Sequence, residues 1–296
     1  MTLLKAIIMG IVQGVAEFLP ISSSGHLALF KHILGVNLES GMLFDVLLHV
    51  GTLAAVFIAF FADIKNLVIE GFGILGDFFA NLFNAVANLF RKEKKPLKKV
   101  VRTPYRRFVM LIIVSTIPTG IVGLLLKDIT EAAGNTLIIP GICFVLTAIE
   151  LLVAENWRPK NHGRTTEKNA KYREAIIVGT AQGIATFPGL SRSGTTITAG
   201  IMCGFEKNFA VRYSFIMSIP AILGALVLEL KDIGESSVSS TEALYFGIGA
   251  VVAGVVGYFA IKLMLETVRK KKYRYFAYYC FVIGLIAIFW NLFSIK

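Results

Sequence analysis

Apolar runs of about twenty residues recur from one end of this 296-residue chain to the other. Crossing a hydrocarbon core of about 30 Å takes roughly 20 apolar residues as a helix, and no water in that core satisfies a stray amide. A bundle of membrane helices meets both demands; the short alternating segments of a β-barrel are not the pattern seen. Composition agrees, because 55% hydrophobic and 17% charged residues, with a mean hydropathy of +0.71, leave too little polar surface for a soluble domain of this size. The fold class read from the sequence is an all-α integral membrane protein.

The formal charge of +11 does not point to nucleic acid. Twenty of the thirty Lys and Arg fall in Arg91–Arg107, Arg158–Arg173 and Arg269–Arg274, short segments beside apolar runs. That is the positive-inside pattern of cytoplasmic loops. The connectors Lys127–Asn135 and Glu229–Glu242 are net acidic and read as outside loops. Cys143, Cys203 and Cys280 sit inside apolar runs without metal-ligand spacing. Gln13 and Glu17 interrupt the first apolar run and no small-residue cleavage site follows, so a removable signal peptide is not expected.

An internal repeat organises the chain. KAIIMGIVQGVAEFLPISSSG from Lys5 aligns without a gap on EAIIVGTAQGIATFPGLSRSG from Glu174, with eleven of the twenty positions Ala6–Gly25 identical. The charge pattern sends the first copy in from the outer face and the second from the inner face, an inverted-topology repeat that places a site near the midplane between broken helices. Ala6–Phe18 and Ala175–Phe187 are thirteen residues each, about 20 Å of helix and too short to cross, and they end at Pro20 and at Pro188–Gly189. Both are expected to be re-entrant hairpins. Six full spans accompany them: Phe44–Phe61, Phe108–Leu126, Leu137–Ala154, Phe209–Leu228, Ala243–Leu265 and Phe276–Phe293. Residues 1–296 form one membrane domain, with repeats 1–154 and 174–296 and an interfacial insertion at 66–107. Within that insertion Asn66, Glu70, Asp77, Asn81, Asn84 and Asn88 make one polar helical stripe, which predicts a cytoplasmic helix lying in the membrane plane.

The hairpin tips carry polar groups where they are expensive. An Arg at membrane depth costs at least about 2.5 kcal/mol on insertion scales, so Arg192 calls for a buried anion or a wet cavity. PGLSRSGTT supplies backbone N–H groups, the hydroxyls of Ser191, Ser193, Thr195 and Thr196, and a helix start around a guanidinium, a combination suited to phosphate. The duller reading has the hydroxyls capping a helix and Arg192 neutralising Glu17. The other tip, VQGVAEFLPISSSGH, places Gln13 and Glu17 on one helix face and Ser22 to His26 in the turn beyond. A carboxylate, a histidine and serines allow a metal ligand, an acid and base, or a nucleophile. Asp45 and His49, four apart on the next span, are further candidates.

The two motifs, QGVAEFLPISSSGH and PGLSRSGTT, in this order and within this repeat, resemble the undecaprenyl-diphosphate phosphatase family, the bacitracin-resistance proteins of bacterial inner membranes. The resemblance runs over essentially the whole chain. It implies hydrolysis of undecaprenyl diphosphate to the monophosphate carrier lipid of cell-wall synthesis, in a site reached from the outer face. The family's (E/Q)xxxE element falls on Gln13 and Glu17, its essential serine and histidine on Ser23 and His26, and PGxSRSxxT on Pro188, Gly189, Ser191, Arg192, Ser193 and Thr196. A divalent cation such as magnesium is implied, with Glu17 a ligand, although Gln13 replaces the glutamate of some members. Ser22 is a supporting residue. The nucleophile is left open between Ser23 and water, and the oligomeric state is open too, a homodimer included.

Two rivals remain in view. Inverted repeats with broken helices are also typical of transporters, so a lipid phosphate or a small anion is an alternative cargo. The phosphatidic-acid phosphatase superfamily shares SGH and SR fragments, but Thr198 stands six residues after Arg192 where that pattern needs His.

Overall fold

The computed structural model describes residues 1–36, 38–134, 136–157, 165–232, 239–270 and 272–294. Residues 158–164 and Lys271 of the basic segments and 233–238 of an acidic connector lie outside the described residues. The helices are α1 (Leu3–Phe18), α2 (Ser23–Leu34), α3 (Leu38–Ala59), α4 (Phe61–Ala87), α5 (Pro104–Gly134), α6 (Ile138–Asn156), α7 (Tyr172–Ile184), α8 (Arg192–Met202), α9 (Lys207–Asp232), α10 (Ser240–Arg269) and α11 (Arg274–Ser294). No strand is present among the described residues.

At the two motif copies α1 packs on α2 and α7 on α8 as helix pairs joined by short turns. The second half-helix ends at Ile184, three residues before Phe187, where the sequence reading put it. Phe187 precedes a proline and is disfavoured in the helical region, and the chain instead folds through turns in which Thr186 Oγ1 donates to Gly183 O at 2.9 Å.

Both half-helices lie against a long helix through glycines. A Cβ at Gly10 would stand 2.5 Å from the Gly249 carbonyl of α10, and one at Gly14 would stand 2.7 Å from the Ala253 carbonyl. In α7, Gly179 meets the Ser115 carbonyl of α5 at 2.1 Å and Gly183 meets Val122 at 2.6 Å by the same measure. Lipid offers no hydrophobic drive between helices, so backbone contact of this kind is what holds them. The glycines are at matching positions of the two motif copies. The core between the hairpins is aromatic, with Phe18, Phe108, Phe205, Phe209, Tyr213 and Phe215 in one cluster.

Length and hydropathy select six helices able to cross a membrane: α4, α5, α6, α9, α10 and α11, with Leu43–Ala59 of α3 a shorter apolar helix. The expectation had α3 as a span and α4 in the membrane plane. The chain that follows α4 bears on the choice. It returns along α4 as an extended strap. The side-chain amide of Asn88 bonds both ways with the backbone of Lys95 (2.8 and 2.9 Å), and that of Asn81 does the same with Lys98 (2.7 and 2.8 Å). Seven helical residues rise about 10.5 Å and three extended residues span about 10 Å, so the two rungs fall in register. Nearer the body, Asp77 pairs with Arg102 at 3.1 Å and Arg106 at 2.5 Å, and Arg106 also reaches Glu70 at 2.7 Å.

The polar stripe read from the sequence therefore faces protein as well as water. Phe72, Phe79, Phe83 and Phe90 are exposed on the remaining surface. Were α4 to cross the bilayer, the strap with exposed Lys92, Lys94, Lys95, Lys98 and Lys99 would cross beside it. Each such charge costs about 2.5–3.5 kcal/mol at the bilayer centre. The paired strap thus favours a helix lying along the surface, its phenylalanines toward lipid. In sealed vesicles of a cysteine-free variant, single cysteines at Lys92, Lys95 and Lys98 should all react with an impermeant thiol reagent from the same side. Labelling of the three from opposite sides would place α4 across the membrane.

Candidate functional site between the hairpin tips

The sequence places each functional side chain on a helix start or the last turn before a break. Ser22 caps α2, its hydroxyl accepting from Gly25 N at 3.4 Å, and holds a φ of +68°, a conformation uncommon outside glycine. Ser191 caps α8 in the same way, accepting from Gly194 N at 3.1 Å. Gly189, with φ +91°, makes the preceding turn, and Thr147 of α6 clamps it by donating to Gly189 O at 3.2 Å and accepting from Ser191 N at 3.0 Å.

The tips touch. A Cβ on Gly25 would lie 2.9 Å from Gly189 Cα and 2.6 Å from the Phe144 ring, and Ser193 Oγ donates to Leu19 O at 3.2 Å. The α1–α2 and α7–α8 turns are thus in direct contact.

Glu17 is the centre of the charged groups. It is 5% exposed, and three side chains bond to it. Arg192, from the opposite tip, pairs with Oε1; Ser23 Oγ donates to Oε2 at 2.6 Å, and Gln13 Nε2 donates to Oε2 at 3.1 Å. His49 Nε2 stands 4.0 Å from the same oxygen, its ring held by Nδ1 against the Asp45 carbonyl at 2.9 Å. Burying a carboxylate is tolerable only with partners of this kind. Ser23 and Arg192 occupy the same position in the two motif copies, so that one position reaches the same carboxylate from both copies.

Burial separates working faces from supports. Ser23, His49 and Arg192 are part-exposed and Ser24 is exposed, whereas Gln13, Glu17, Ser22, His26, Ser191, Ser193 and Thr196 are buried. Thr196 Oγ1 is engaged with Arg192 O at 2.8 Å and Ser214 Oγ at 2.6 Å, which ties α8 to α9. Ser191 and Ser193 are 3.3 Å apart. His26 lies between Ser22 O and the Tyr279 hydroxyl, 2.7 Å from each.

Reading the sequence missed Tyr279, Thr147 and Ser214, and raised His49 only beside Asp45. No pattern marks the first three, since Tyr279 and Thr147 reach the tips from helices far along the chain and Ser214 is one more hydroxyl on the apolar helix after α8. Asp45 itself pairs with Lys31. A half-buried ionisable residue outside the motifs, Glu150, accepts from Thr195 Oγ1 at 2.8 Å.

Among the described residues no three His, Cys, Asp or Glu gather as a metal cage. A magnesium ion asks for less, since it keeps several waters and takes one or two carboxylates together with substrate phosphates. Gln13 Oε1 is buried without a hydrogen-bond partner, and Glu17, with about four lone-pair sites, has three committed to protein donors. Those two oxygens fit an ion brought in with a phosphate group.

Comparison with known proteins gives a consistent result. The family model described as bacitracin resistance protein BacA matches residues 6–286. A protein of Methanosphaera stadtmanae named undecaprenyl-diphosphatase is 43% identical over 286 residues, 97% of this chain and 97% of its own length. Relatives of the same name from Alkaliphilus metalliredigens and Methanobrevibacter smithii are each 40% identical. They cover 99% of this chain with 100% of the first relative, and 97% with 96% of the second.

The contact between tips makes its own prediction. Gly25→Ala forces a methyl against Gly189 and Phe144, and overpacking of this kind destabilises by about 1–3 kcal/mol. The purified variant should melt at lower temperature in detergent, while alanine at Gly76, which lies in α4 and meets nothing within 4 Å, should not lower the midpoint.

Proposed function

The chain belongs to the bacitracin resistance protein BacA family, and on that premise we propose that it hydrolyses undecaprenyl diphosphate to undecaprenyl phosphate and inorganic phosphate. It is a multi-pass membrane protein whose hydrolysis recycles the carrier lipid and confers bacitracin resistance. The observation that carries the reading is Glu17, held by Arg192 from the opposite tip with the Ser23 hydroxyl 2.6 Å away. A guanidinium, a hydroxyl and a base converge there, a set suited to phosphoryl transfer from an anionic diphosphate.

In this mechanism Arg192 binds the diphosphate. One of its N–H groups meets Glu17 and the others form a fork suited to two phosphate oxygens. As the terminal phosphoryl group moves, charge gathers on its equatorial oxygens and the guanidinium stabilises it, with the α8 N-terminus adding its partial positive charge. Ser23 presents its oxygen with its proton already directed at Glu17, so the attacking group is this hydroxyl or a water in its place. Ser22, Ser191, Ser193, Gly189 and Thr196 hold the two helix starts that aim these groups. Gln13 fixes the Glu17 carboxylate. A divalent cation, magnesium by its chemistry, would be held by Glu17 and Gln13 Oε1 and would supply neutralising charge to the phosphates.

We further read the chain as two oppositely inserted repeats in the cell membrane, the inner one where a cell has two, with basic loops cytoplasmic and the site open to the outer face. The matching glycine contacts of α1 on α10 and α7 on α5 support the repeat. The basic segments support the orientation.

Phosphate release by the purified protein in detergent tests the reaction, since no gradient exists there to drive a transporter. Arg192→Lys keeps the charge and loses the fork, and should lower turnover about 10²–10³-fold, the loss typical of one transition-state donor. Ser23→Ala and Glu17→Gln should fall comparably. Near-normal turnover by Arg192→Lys would remove the clamp from the mechanism.

A further inference from the structure

His26 has a determined proton arrangement. Its Nδ1 is 2.7 Å from the Ser22 carbonyl, an oxygen that only accepts, so Nδ1 carries the hydrogen. In the neutral ring Nε2 is then the lone-pair nitrogen, and the group against it is the Tyr279 hydroxyl at 2.7 Å, which donates. The tyrosine ring is parallel to the imidazole, with 5.6 Å between centroids and 7° between planes, and Phe144 meets the imidazole edge-on at 5.1 Å. The histidine can neither turn nor present its other nitrogen. It is 3% exposed, whereas Tyr279 is 41% exposed.

A histidine fixed in this way exchanges protons at Nε2, and Tyr279 stands at that nitrogen. Ser23 has a separate acceptor, because its hydroxyl already donates to Glu17. Net hydrolysis consumes one water whichever oxygen attacks first, and that water also needs a base. We propose that Tyr279 is the group through which His26 takes the proton of the hydrolytic water, an inference that rests on the phosphatase reading above.

The step balances without ionising the phenol. The water oxygen forms its bond to phosphorus while its proton passes to the Tyr279 oxygen and the phenolic proton passes to His26 Nε2. The bond from phosphorus to the leaving oxygen breaks with its electron pair retained there. His26 ends as imidazolium, Tyr279 is unchanged, and the imidazolium proton returns to solvent by the same path. A phenol suits this task because one oxygen both donates and accepts. Phenylalanine at the same position would keep the stacking and remove the relay.

Tyr279→Phe therefore separates a relay from a packing role. With undecaprenyl diphosphate in detergent, kcat should fall by about 10²-fold or more, the scale of general acid–base catalysis, with KM within about twofold. The solvent deuterium isotope effect should change, as two protons in flight become one or none. Melting of the variant should match the parent, and Tyr279→Leu, which removes the aromatic face as well, reports any packing contribution. Wild-type kcat and isotope effect in Tyr279→Phe, beside an inactive His26→Gln, would overturn the relay and leave Tyr279 a placeholder displaced by substrate. Full activity in His26→Gln would instead remove His26 from the reaction, and the relay with it.

Discussion

The pairing of Glu17 with Arg192 is the interaction to which the rest of the structure is fitted. An isolated carboxylate and an isolated guanidinium at membrane depth would each be prohibitive; together they are tolerable because their attraction grows as water is excluded. Bringing them together needs two helices, α1 and α7, that break just before the tips, and each break exposes amides and carbonyls that must be met. Ser22 and Ser191 cap the new helix starts, Thr147 clamps the second turn, and Ser193 bonds across to Leu19 O. Glycines then let the short helices lie against α5 and α10 at backbone distance, which fixes them to the long helices.

Much of this was legible before any coordinates, because the chain says it twice. Eleven identities in twenty positions draw attention to both tips, and prolines beyond two mostly apolar thirteen-residue runs mark where helices must break. Gln13, Glu17, Ser23 and Arg192 are found together because local spacing already placed them on the tips. Tyr279 was invisible for the opposite reason. It lies 253 residues from His26 in sequence, in an aromatic-rich helix where one more tyrosine carries no signal. The roles of the hydroxyls also needed geometry: Thr196 belongs to a phosphate-type motif by sequence, yet its oxygen faces Ser214 inside the bundle.

The α4 hairpin shows where composition alone is ambiguous. Its hydropathy matches that of a membrane span, whereas the pairing of Asn81 and Asn88 with the returning basic chain argues for the membrane surface. The polar stripe was readable; its partner was not, because an extended basic segment has no periodicity of its own. Asparagine suits the contact, since its amide offers one donor and one acceptor in the plane of a backbone peptide and so substitutes for a neighbouring strand.

The equivalence of Ser23 and Arg192 has a bearing on how such a site can arise. Two copies of a motif related by symmetry would, if identical, bring like groups to the shared centre: two arginines repelling each other, or two serines with no cation for the carboxylate. Here the copies have diverged at that position and again at Glu17, where the second carries Thr186. One half holds the acid and the hydroxyl, and the other the cation. Neither half contains a complete set, so the chemistry belongs to the junction between them, and covalent linkage in one chain keeps the unlike halves in a one-to-one ratio.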